Sequence, residues 1–430
     1  FSLNGKLNLQ WFEMAWNIVT LRHDILRTNF IYKGVPRPLQ VVKRSGSIDW
    51  HYEDISTSEN PGDKIENYKI DERQKGFELD RDILMRMNIF KIGATSYAAI
   101  WSYHHILMDG WCLGLLIQDV QLAYMDLSRG KKPQFTPAPQ YREYISWLEE
   151  KADHDVSLSY WSDYLEGFTP ITSLPRDLSG DIKGGSDIQS LYSFGLNSDL
   201  SQQLSKIAKE RQITINTLVQ SIWGLLLAEA NGVSDVVFGA AVSGRPASVP
   251  NVESIVGLFL NSVPVRVKLP DTTPFGDIIR NLQSESLAGE PHHFISLASI
   301  QSACGLEAQL LDHVLIFQNY PLGDELEELQ KEFDVGFKFS DLEAMEQTNY
   351  DLSVEIYPMP NIHFDLRYNS DVYSTDKISS VSKDITTLFE AVAKNPDMSV
   401  RELRGLLTSS DELGAEADFL ASAMNIDDEF

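Results

Sequence analysis

Cysteine and basic residues are scarce in this sequence. Only two of its 430 residues are cysteine, Cys112 and Cys304, and neither belongs to a CxxC pair or a Cys/His cluster. A disulfide framework and a zinc site are therefore excluded, and a reducing compartment, the cytoplasm, is expected. Lys and Arg total 36 against 62 acidic residues, which gives a net charge of −26. The broad positive field that nucleic acid or an anionic membrane surface requires is missing, so neither is an expected partner.

Long hydrophobic runs are also absent. No stretch approaches the ~18 to 20 apolar residues of a membrane span, and the amino terminus has no signal-peptide pattern. The sequence contains no fixed-period repeat, and Ser243-Gly244-Arg245-Pro246 lacks the Gly-Lys-Ser/Thr ending of a phosphate loop. It begins at Phe1 without an initiator methionine, which indicates a fragment of a larger chain. With 43% hydrophobic and 23% charged residues, the composition is that of a folded globular protein.

Helix and strand patterns alternate along the chain. Apolar residues recur at helical spacing from Asn8 to Phe30, which places Arg22 and Arg27 near the end of a first helix. Aromatic and apolar residues fill 96–105 as in a strand, and an amphipathic helix is predicted after Asp109-Gly110. The same alternation restarts in the second half of the chain. A mixed α/β (α+β) fold is therefore predicted.

Turn-forming residues predict the domain boundaries. A region rich in Pro, Gly and Asp begins near residue 175 and divides the chain into an amino-terminal lobe, 1–174, and a carboxy-terminal lobe, 175–408. A cleft between two such lobes is the default ligand site. Residues 409–430 contain seven acidic and no basic side chains, so a solvated acidic tail or linker is expected there.

The strongest chemical signal is His104-His105-Ile106-Leu107-Met108-Asp109-Gly110, at a predicted strand-to-helix turn. Because side chains alternate along a strand, the rings of His104 and His105 are predicted to point to opposite faces. A neutral imidazole suits general-base work near neutral pH. Asp109 is suited either to orient a ring or to pair with an arginine, and Gly110 permits a sharp turn and a close approach of substrate to the backbone.

This motif resembles the His-His-x-x-x-Asp-Gly signature of the condensation domains of nonribosomal peptide synthetases, which belong to the superfamily of chloramphenicol acetyltransferase. Further segments resemble the family's other motifs in the same order, and the resemblance spans about residues 1–405. These segments are 22–30 (Arg-His-x-x-Leu-Arg-Thr-x-Phe), 141–147 (Tyr-x-x-Tyr-x-x-Trp), 256–262 with Pro264 and Arg266, 317–321 (Asn-Tyr-Pro) and 349–353. Two departures are visible: the family's first motif, a helix ahead of the opening strand, is absent, and Ser262 replaces the commoner Thr.

The resemblance implies two chloramphenicol acetyltransferase-like lobes in a V shape with a central tunnel. It also implies peptide-bond formation, in which an acceptor α-amine attacks a donor thioester through a tetrahedral oxyanion. Each substrate would hang on a phosphopantetheine arm delivered by a donor or acceptor peptidyl carrier protein, so the domain itself would bind no cofactor and no metal. The implied partners are these carriers and neighbouring synthetase domains, and the chain is expected to be a monomer.

The resemblance also implies roles for individual residues. His105 would touch the attacking amine, as a general base or as a positioning group, while His104 and the backbone N–H of Gly110 would complete the catalytic set. Asp109 would be structural and would pair with an arginine of the first helix. The candidates for that arginine are Arg22 and Arg27, and the candidates for the tunnel wall are Trp111, Ser262, Asn319 and Tyr350.

Three other functions stay open. Epimerisation domains of the same superfamily keep both histidines, but they usually continue differently from Trp111-Cys112-Leu113. A catalytically idle docking platform for a tailoring enzyme would not need to keep His104, His105, Asp109 and Gly110, so their presence counts against it. A freestanding acyltransferase that uses acyl-CoA ranks third. Heterocyclisation relatives carry an Asp-rich motif in place of the two histidines, and this chain does not.

Overall fold

The protein is described by a computed structural model that covers residues 1–150, 154–168, 173–178, 189–305, 310–318, 335–343, 345–346 and 348–407. The chain divides into two compact units. The first comprises Phe1–Lys151, Arg245–Leu260 and Tyr320–Met345, and the second comprises Ala152–Gly244, Asn261–Asn319 and Glu346–Phe430. Each unit is thus assembled from three stretches of chain, whereas turn composition predicted one boundary near residue 175. A chain that returns to an earlier unit leaves no mark in local composition.

The described residues contain both helices and strands, as predicted. The strands are β1 (Ser2–Gly5), β2 (Thr28–Ile31), β3 (Leu39–Val42), β4 (Asp49–Asp54), β5 (Met85–Lys91), β6 (Ser96–Tyr103), β7 (Gln189–Gly195), β8 (Asp235–Ser243), β9 (Leu260–Lys268), β10 (His313–Phe317), β11 (Phe337–Ser340), β12 (Leu352–Tyr357) and β13 (His363–Asn369). The α-helices are α1 (Leu9–Arg22), α2 (Pro61–Lys75), α3 (Trp111–Ser128), α4 (Tyr141–Glu150), α5 (His154–Tyr164), α6 (Ser198–Arg211), α7 (Ile215–Asn231), α8 (Phe275–Gly289), α9 (Leu297–Ala303) and α10 (Thr375–Lys394). Short 3₁₀-helices cover Asp24–Arg27, His105–Leu107, Val252–Ser254 and Glu290–His292.

The first unit is built on a five-stranded sheet with the order β11-β1-β6-β5-β4. Its neighbouring strands are antiparallel except β4 and β5, which are parallel. Along β5, Met85, Met87 and Ile89 belong to the core that also contains apolar residues of α1 and α3. Because side chains alternate along a strand, Arg86 lies on the opposite face, where it meets α2. The His104–Gly110 motif follows β6, at the end of the sheet where β6 pairs with Met85.

The second unit is built on a six-stranded sheet with the order β7-β13-β12-β10-β8-β9. Strands β8, β10 and β12 run parallel, while β13 and β7 continue the sheet antiparallel. Its large core contains residues of α6, α7, α8 and α10. Helix α7 is buried along most of its length, begins at the Thr214 N-cap and ends at Gly232 in the left-handed conformation. A helix apolar on all sides is expected at such a position.

The helices of the described ranges differ in length and polarity from a membrane span. No single helix there is both long enough and apolar enough to cross a bilayer. Helices α6 and α7 taken together have the length and composition of a membrane span, but they are bent by 106° at their junction.

Candidate active site

The two motif histidines do not continue the strand that precedes them. Strand β6 ends at Tyr103, and His104 is the N-cap of the 3₁₀-helix His105–Leu107. The fully buried side chains of Leu107 and Met108 anchor this turn in the core of the first unit. The prediction that strand alternation separates the two rings is therefore wrong in its premise, because the backbone leaves the extended conformation before His105.

His104 holds this turn together through its own side chain. Its Nδ1 accepts a hydrogen bond from the backbone N–H of Ile106 at 3.0 Å, and its backbone N–H donates to the carbonyl of Leu84 at 3.0 Å. Burial lowers the pKa of His104, and the neighbouring His105 acts in the same direction. Since Nδ1 accepts, the neutral ring carries its proton on Nε2. His104 is thus suited to hold the turn as a neutral acceptor.

His105 is the first residue of the 3₁₀-helix and is half-buried. Its carbonyl accepts a hydrogen bond from the N–H of Met108 at 3.2 Å, so its backbone is fixed inside the turn. The cap from His104 lies on one side of it and the buried Leu107 lies on the other. The imidazole of His105 is therefore carried by a backbone that is held at both ends.

Asp109 is buried in the first unit, with only 2% of the residue exposed. Its carboxylate accepts from Nη2 of Arg245 at 3.2 Å and from the backbone N–H of Phe259 at 3.1 Å. The thiol of Cys112 donates to it at 3.3 Å. A buried carboxylate requires this combination of an opposite charge and additional donors.

The predicted pairing of Asp109 with Arg22 or Arg27 is wrong. Nε of Arg22 donates to Asp119 at 2.8 Å, and Arg27 pairs with Asp24. The reason is geometric: α1 packs along α3, so an arginine at the end of α1 reaches a carboxylate farther along α3.

Arg245 is the partner of Asp109, and the sequence did not predict this pairing. Its Nη1 donates to the carbonyls of Val252 at 2.7 Å and Ile255 at 2.9 Å, so it also closes the loop in which it lies. The guanidinium carbon stands 4.1 Å from the ring centroid of Phe259, a cation–π contact. In the sequence, this arginine stands out only as part of Ser243-Gly244-Arg245-Pro246, which lacks the ending of a phosphate loop. The sequence feature that could have indicated its role is an arginine between two turn-forming residues, Gly244 and Pro246.

Cys112 and Gly257 bring the loop 245–260 against the start of α3. The Cys112 sulfur lies 3.3 Å from the Gly257 carbonyl oxygen, and the Gly257 N–H donates to this sulfur at 3.4 Å. Burial, followed by the charge of Asp109, raises the pKa of Cys112 to about 12, so the sulfur is a thiol at neutral pH and not a nucleophile. A Cβ on Gly257 would stand 2.0 Å from the Tyr141 ring, so only glycine fits this approach.

Gly110 is the N-cap of α3, with φ −59° and ψ −28°. This is ordinary right-handed backbone, so the sharp turn predicted at Gly110 does not use the conformational freedom of glycine. Its carbonyl accepts from the N–H of Leu113 at 3.2 Å.

The four predicted tunnel residues fall into separate places. Trp111 begins α3 in the first unit, is 41% exposed and donates from Nε1 to the carbonyl of Glu253 at 2.9 Å. In the second unit, burial raises the pKa of Tyr350, and the nearby Ser262 hydroxyl acts in the opposite direction. Asn319 lies outside the described residues. Among those residues, no group of three or more His, Cys, Asp or Glu side chains could hold a metal ion.

Solved structures share this fold. The X-domain from teicoplanin biosynthesis superposes with a TM-score of 0.79 at 19% identity, covering 93% of this chain and 90% of that one. A four-domain nonribosomal peptide synthetase bound to AMP and glycine gives 0.79 at 18% identity, over 94% of this chain and 31% of that one. The first condensation domain of the calcium-dependent antibiotic synthetase gives 0.70 at 17% identity, over 93% and 91%. The predicted chloramphenicol acetyltransferase-like fold class is confirmed.

Sequence relatives are long peptide synthetases. Surfactin synthase subunit 3 of Bacillus subtilis (strain 168) is 37% identical over 402 residues, which are 93% of this chain and 31% of that protein. Gramicidin S synthase 2 of Brevibacillus brevis is 34% identical over 413 residues, 96% and 9% respectively. Tyrocidine synthase 2 of Brevibacillus parabrevis is 33% identical over 412 residues, 95% and 11%. The chain therefore spans less than a third of the length of each of these three relatives.

A family model provides the last comparison. The model described as "Condensation domain" matches residues 1–413, nearly the whole chain and all the motif segments. The family predicted from the ordered motifs is thereby confirmed. The chain belongs to the condensation-domain family of nonribosomal peptide synthetases.

Proposed function

We propose that this chain catalyses amide-bond formation between two carrier-bound substrates. The α-amine of an acceptor aminoacyl thioester attacks the carbonyl carbon of a donor acyl or peptidyl thioester. A C–N bond forms, the C–S bond breaks, and the proton released by the nitrogen balances the thiolate of the donor arm. The observation that carries this proposal is the fixed turn at His104–Gly110, in which His105 is held between a side-chain cap and the buried Asp109–Arg245 pair.

His105 acts on the attacking amine. An α-amine with a pKa of ~7.7 to 8.0 is partly neutral at cellular pH, so His105 needs either to accept a proton as the bond forms or only to orient the lone pair. Its held backbone supports both roles, because alignment of two tethered reactants can remove several kcal/mol from the barrier. The backbone N–H of Gly110, at the start of α3, is proposed to assist the oxyanion.

The substrates arrive on partner proteins. Phosphopantetheine arms of donor and acceptor peptidyl carrier proteins carry the two thioesters, and neighbouring synthetase domains supply those carriers. The domain itself is proposed to bind no resident cofactor and to act as a cytoplasmic monomer. Trp111, Ser262, Asn319 and Tyr350 are proposed to contact the arms or the acyl groups. Ser262 and Tyr350 support this for the second unit, because they are neighbouring hydroxyl side chains and both are half-buried.

The experiment uses two purified carrier proteins that are loaded with chosen aminoacyl groups. The native chain is expected to produce a dipeptidyl thioester on the acceptor carrier, detected by intact mass. His105→Ala should abolish the product while keeping the native melting temperature. His363→Ala, a histidine of β13 in the second unit, is the matched control and should retain turnover.

Three other outcomes of this experiment would contradict the proposal, and each would indicate a different function. Inversion of the α-carbon of one carrier-bound aminoacyl group, with no dipeptidyl product, would indicate epimerisation. Transfer from acyl-CoA without a donor carrier would indicate a freestanding acyltransferase. A folded chain that forms no product across a panel of loaded carriers would indicate an idle docking platform.

A further inference from the structure

The face of the first sheet that meets α2 contains a buried ion pair outside every motif segment. Nε of Arg86 on β5 donates to Glu72 on α2, and the two residues are 5% and 6% exposed. Nη2 of Arg86 donates in addition to the carbonyl of Gly76 at 2.9 Å. Removing two charges from water has a large cost, which only a fixed and fully bonded geometry offsets. The position of the Arg86 guanidinium is therefore tightly defined.

Gly76 turns the chain over this guanidinium. It ends α2 with φ +56° and ψ −158°, a conformation that residues with a Cβ rarely adopt. The next residue, Phe77, places its ring over Arg86, with 3.9 Å between the guanidinium carbon and the ring centroid. A guanidinium on the face of an aromatic ring is attracted by the ring's quadrupole. The ion pair therefore supports the ring of Phe77 from one side.

The same ring contacts the active-site motif. Phe77 meets the imidazole of His104 edge to face, with centroids 6.4 Å apart and planes at 78°. His104 in turn caps the turn that carries His105, through the Ile106 N–H. A chain of contacts thus runs from Glu72 through Arg86 and Phe77 to His104.

We infer that Phe77, supported by the Glu72–Arg86 pair, is a positioning residue that holds the His104 imidazole in its capping orientation and thereby fixes His105. A rotated or protonated His104 ring cannot accept the Ile106 N–H at Nδ1, because a protonated nitrogen is a donor. The charged and titratable groups around this contact are His105, next in the chain, and Glu72 and Arg86 on the far side of the Phe77 ring. The inference deepens the proposed function and rests on it.

Phe77→Leu is the first test, because it removes the ring and keeps an apolar side chain. In the two-carrier assay, kcat is expected to fall about 10- to 100-fold, the loss that a misplacement of about 1 Å produces, while KM for each loaded carrier stays unchanged. The acid limb of the rate profile should move to higher pH, because a less shielded His104 protonates more readily. Phe77→Tyr retains a ring and should restore kcat.

The matched control is Phe90→Leu. Phe90 lies on the same strand and the same face as Arg86, is 1% exposed and packs on Tyr68 of α2 at 5.0 Å. Its truncation should lower the melting temperature at least as much as Phe77→Leu while leaving kcat within about twofold. Should Phe77→Leu melt below the assay temperature, Phe77→Met preserves more buried volume and replaces it.

A second readout separates this inference from the proposed function. In protein labelled with ¹⁵N-histidine, His104 should show the single Nε2–H tautomer, and Phe77→Leu should convert it to a tautomer mixture. This result would support the positioning role even if the native chain formed no dipeptide. Unchanged His104 signals together with an unchanged kcat would overturn the inference, as would an equal loss of kcat in Phe90→Leu.

Discussion

Asp109 and Arg245 form a buried ion pair of 3.2 Å although 136 residues separate them in the chain. Their side chains are only 3% and 6% exposed. Asp109 lies just before α3 and Arg245 opens the loop 245–260, so the pair ties a distant loop to the His104–Gly110 motif inside the first unit. Folding of the first unit therefore depends on residues 245–260, which come after the stretch 152–244 of the second unit in the chain.

Breaking this pair should destabilise the protein strongly. Asp109→Asn keeps the shape of the side chain but leaves the Arg245 guanidinium buried without a counter-charge. The free energy of unfolding is expected to fall by on the order of 3 kcal/mol, at the lower end of the cost of breaking a buried pair. Urea denaturation of Asp109→Asn, of Arg245→Met and of the double variant measures the coupling, and the double variant should lose much less than the sum.

The control for this cycle is Arg22→Ala. Because Arg22 bonds to Asp119 and not to Asp109, its loss should add to that of Asp109→Asn and should couple instead to Asp119→Asn. Strict additivity between Asp109→Asn and Arg245→Met would contradict the pairing. A stable but inactive Asp109→Asn protein would assign Asp109 a direct role in the chemistry.

Much of the fold was predictable, but the partner of Asp109 was not. Ordered motif segments and alternating periodicities indicate the family and the mixed α/β class, because both are recorded in local sequence. The pairing between Asp109 and Arg245 depends on a loop from another part of the chain, which no periodicity reveals. The end of β6 at Tyr103 was missed for a related reason. The apolar and aromatic pattern runs through the histidines, while the turn is set by the His104 side chain.

The close approach of Gly257 to Tyr141 should make this glycine irreplaceable. Gly257→Ala would bring a methyl group 2.0 Å from the Tyr141 ring, so the loop 245–260 must shift away from α3. We expect a loss of about 1 to 3 kcal/mol in the free energy of unfolding, as for other overpacked cores. In a Tyr141→Ala background, Gly257→Ala should lower the free energy of unfolding by less than it does in the native protein, since the obstructing ring is gone.

Gly62→Ala is the matched control for this prediction. It lies in α2 of the same unit, where a Cβ meets nothing within 4 Å. Alanine in a helix should therefore raise the free energy of unfolding by up to ~1 kcal/mol. Equal losses at both glycines would show that the contact with Tyr141 is not responsible.

The capping role of His104 predicts which substitutions the motif tolerates. His104→Asn supplies a side-chain acceptor that is a favourable N-cap, so the Ile106 N–H keeps a partner. His104→Leu leaves that donor without one and should cost about 1 kcal/mol more. Melting temperature and two-carrier turnover should both rank native, Asn, then Leu. An inactive His104→Asn protein with native stability would show that the imidazole itself takes part in the reaction.

Acid sensitivity should arise in part from His293 in the second unit. Burial lowers the pKa of His293 to about 4, and His292 acts in the same direction. The ring lies beside Trp161, with centroids 6.5 Å apart, and the backbone carbonyl accepts from Asn261 at 2.7 Å. In the unfolded chain a histidine titrates near 6.5, so below that pH the unfolded state takes up a proton that the folded state refuses.

Stability should therefore be unaffected by this group above about pH 6.5 and should fall as the pH decreases from there to about 4. The loss is expected to reach on the order of 2 to 3 kcal/mol, since each unit of pKa difference is worth about 1.4 kcal/mol. His293→Phe keeps an aromatic ring beside Trp161 and removes the titration. Urea denaturation at pH 7.0, 5.5 and 4.5 should show a shallower decline in the variant than in the native protein. Parallel declines would mean that the pKa of His293 does not differ between the folded and unfolded states, and the acid sensitivity would then have to arise from other groups.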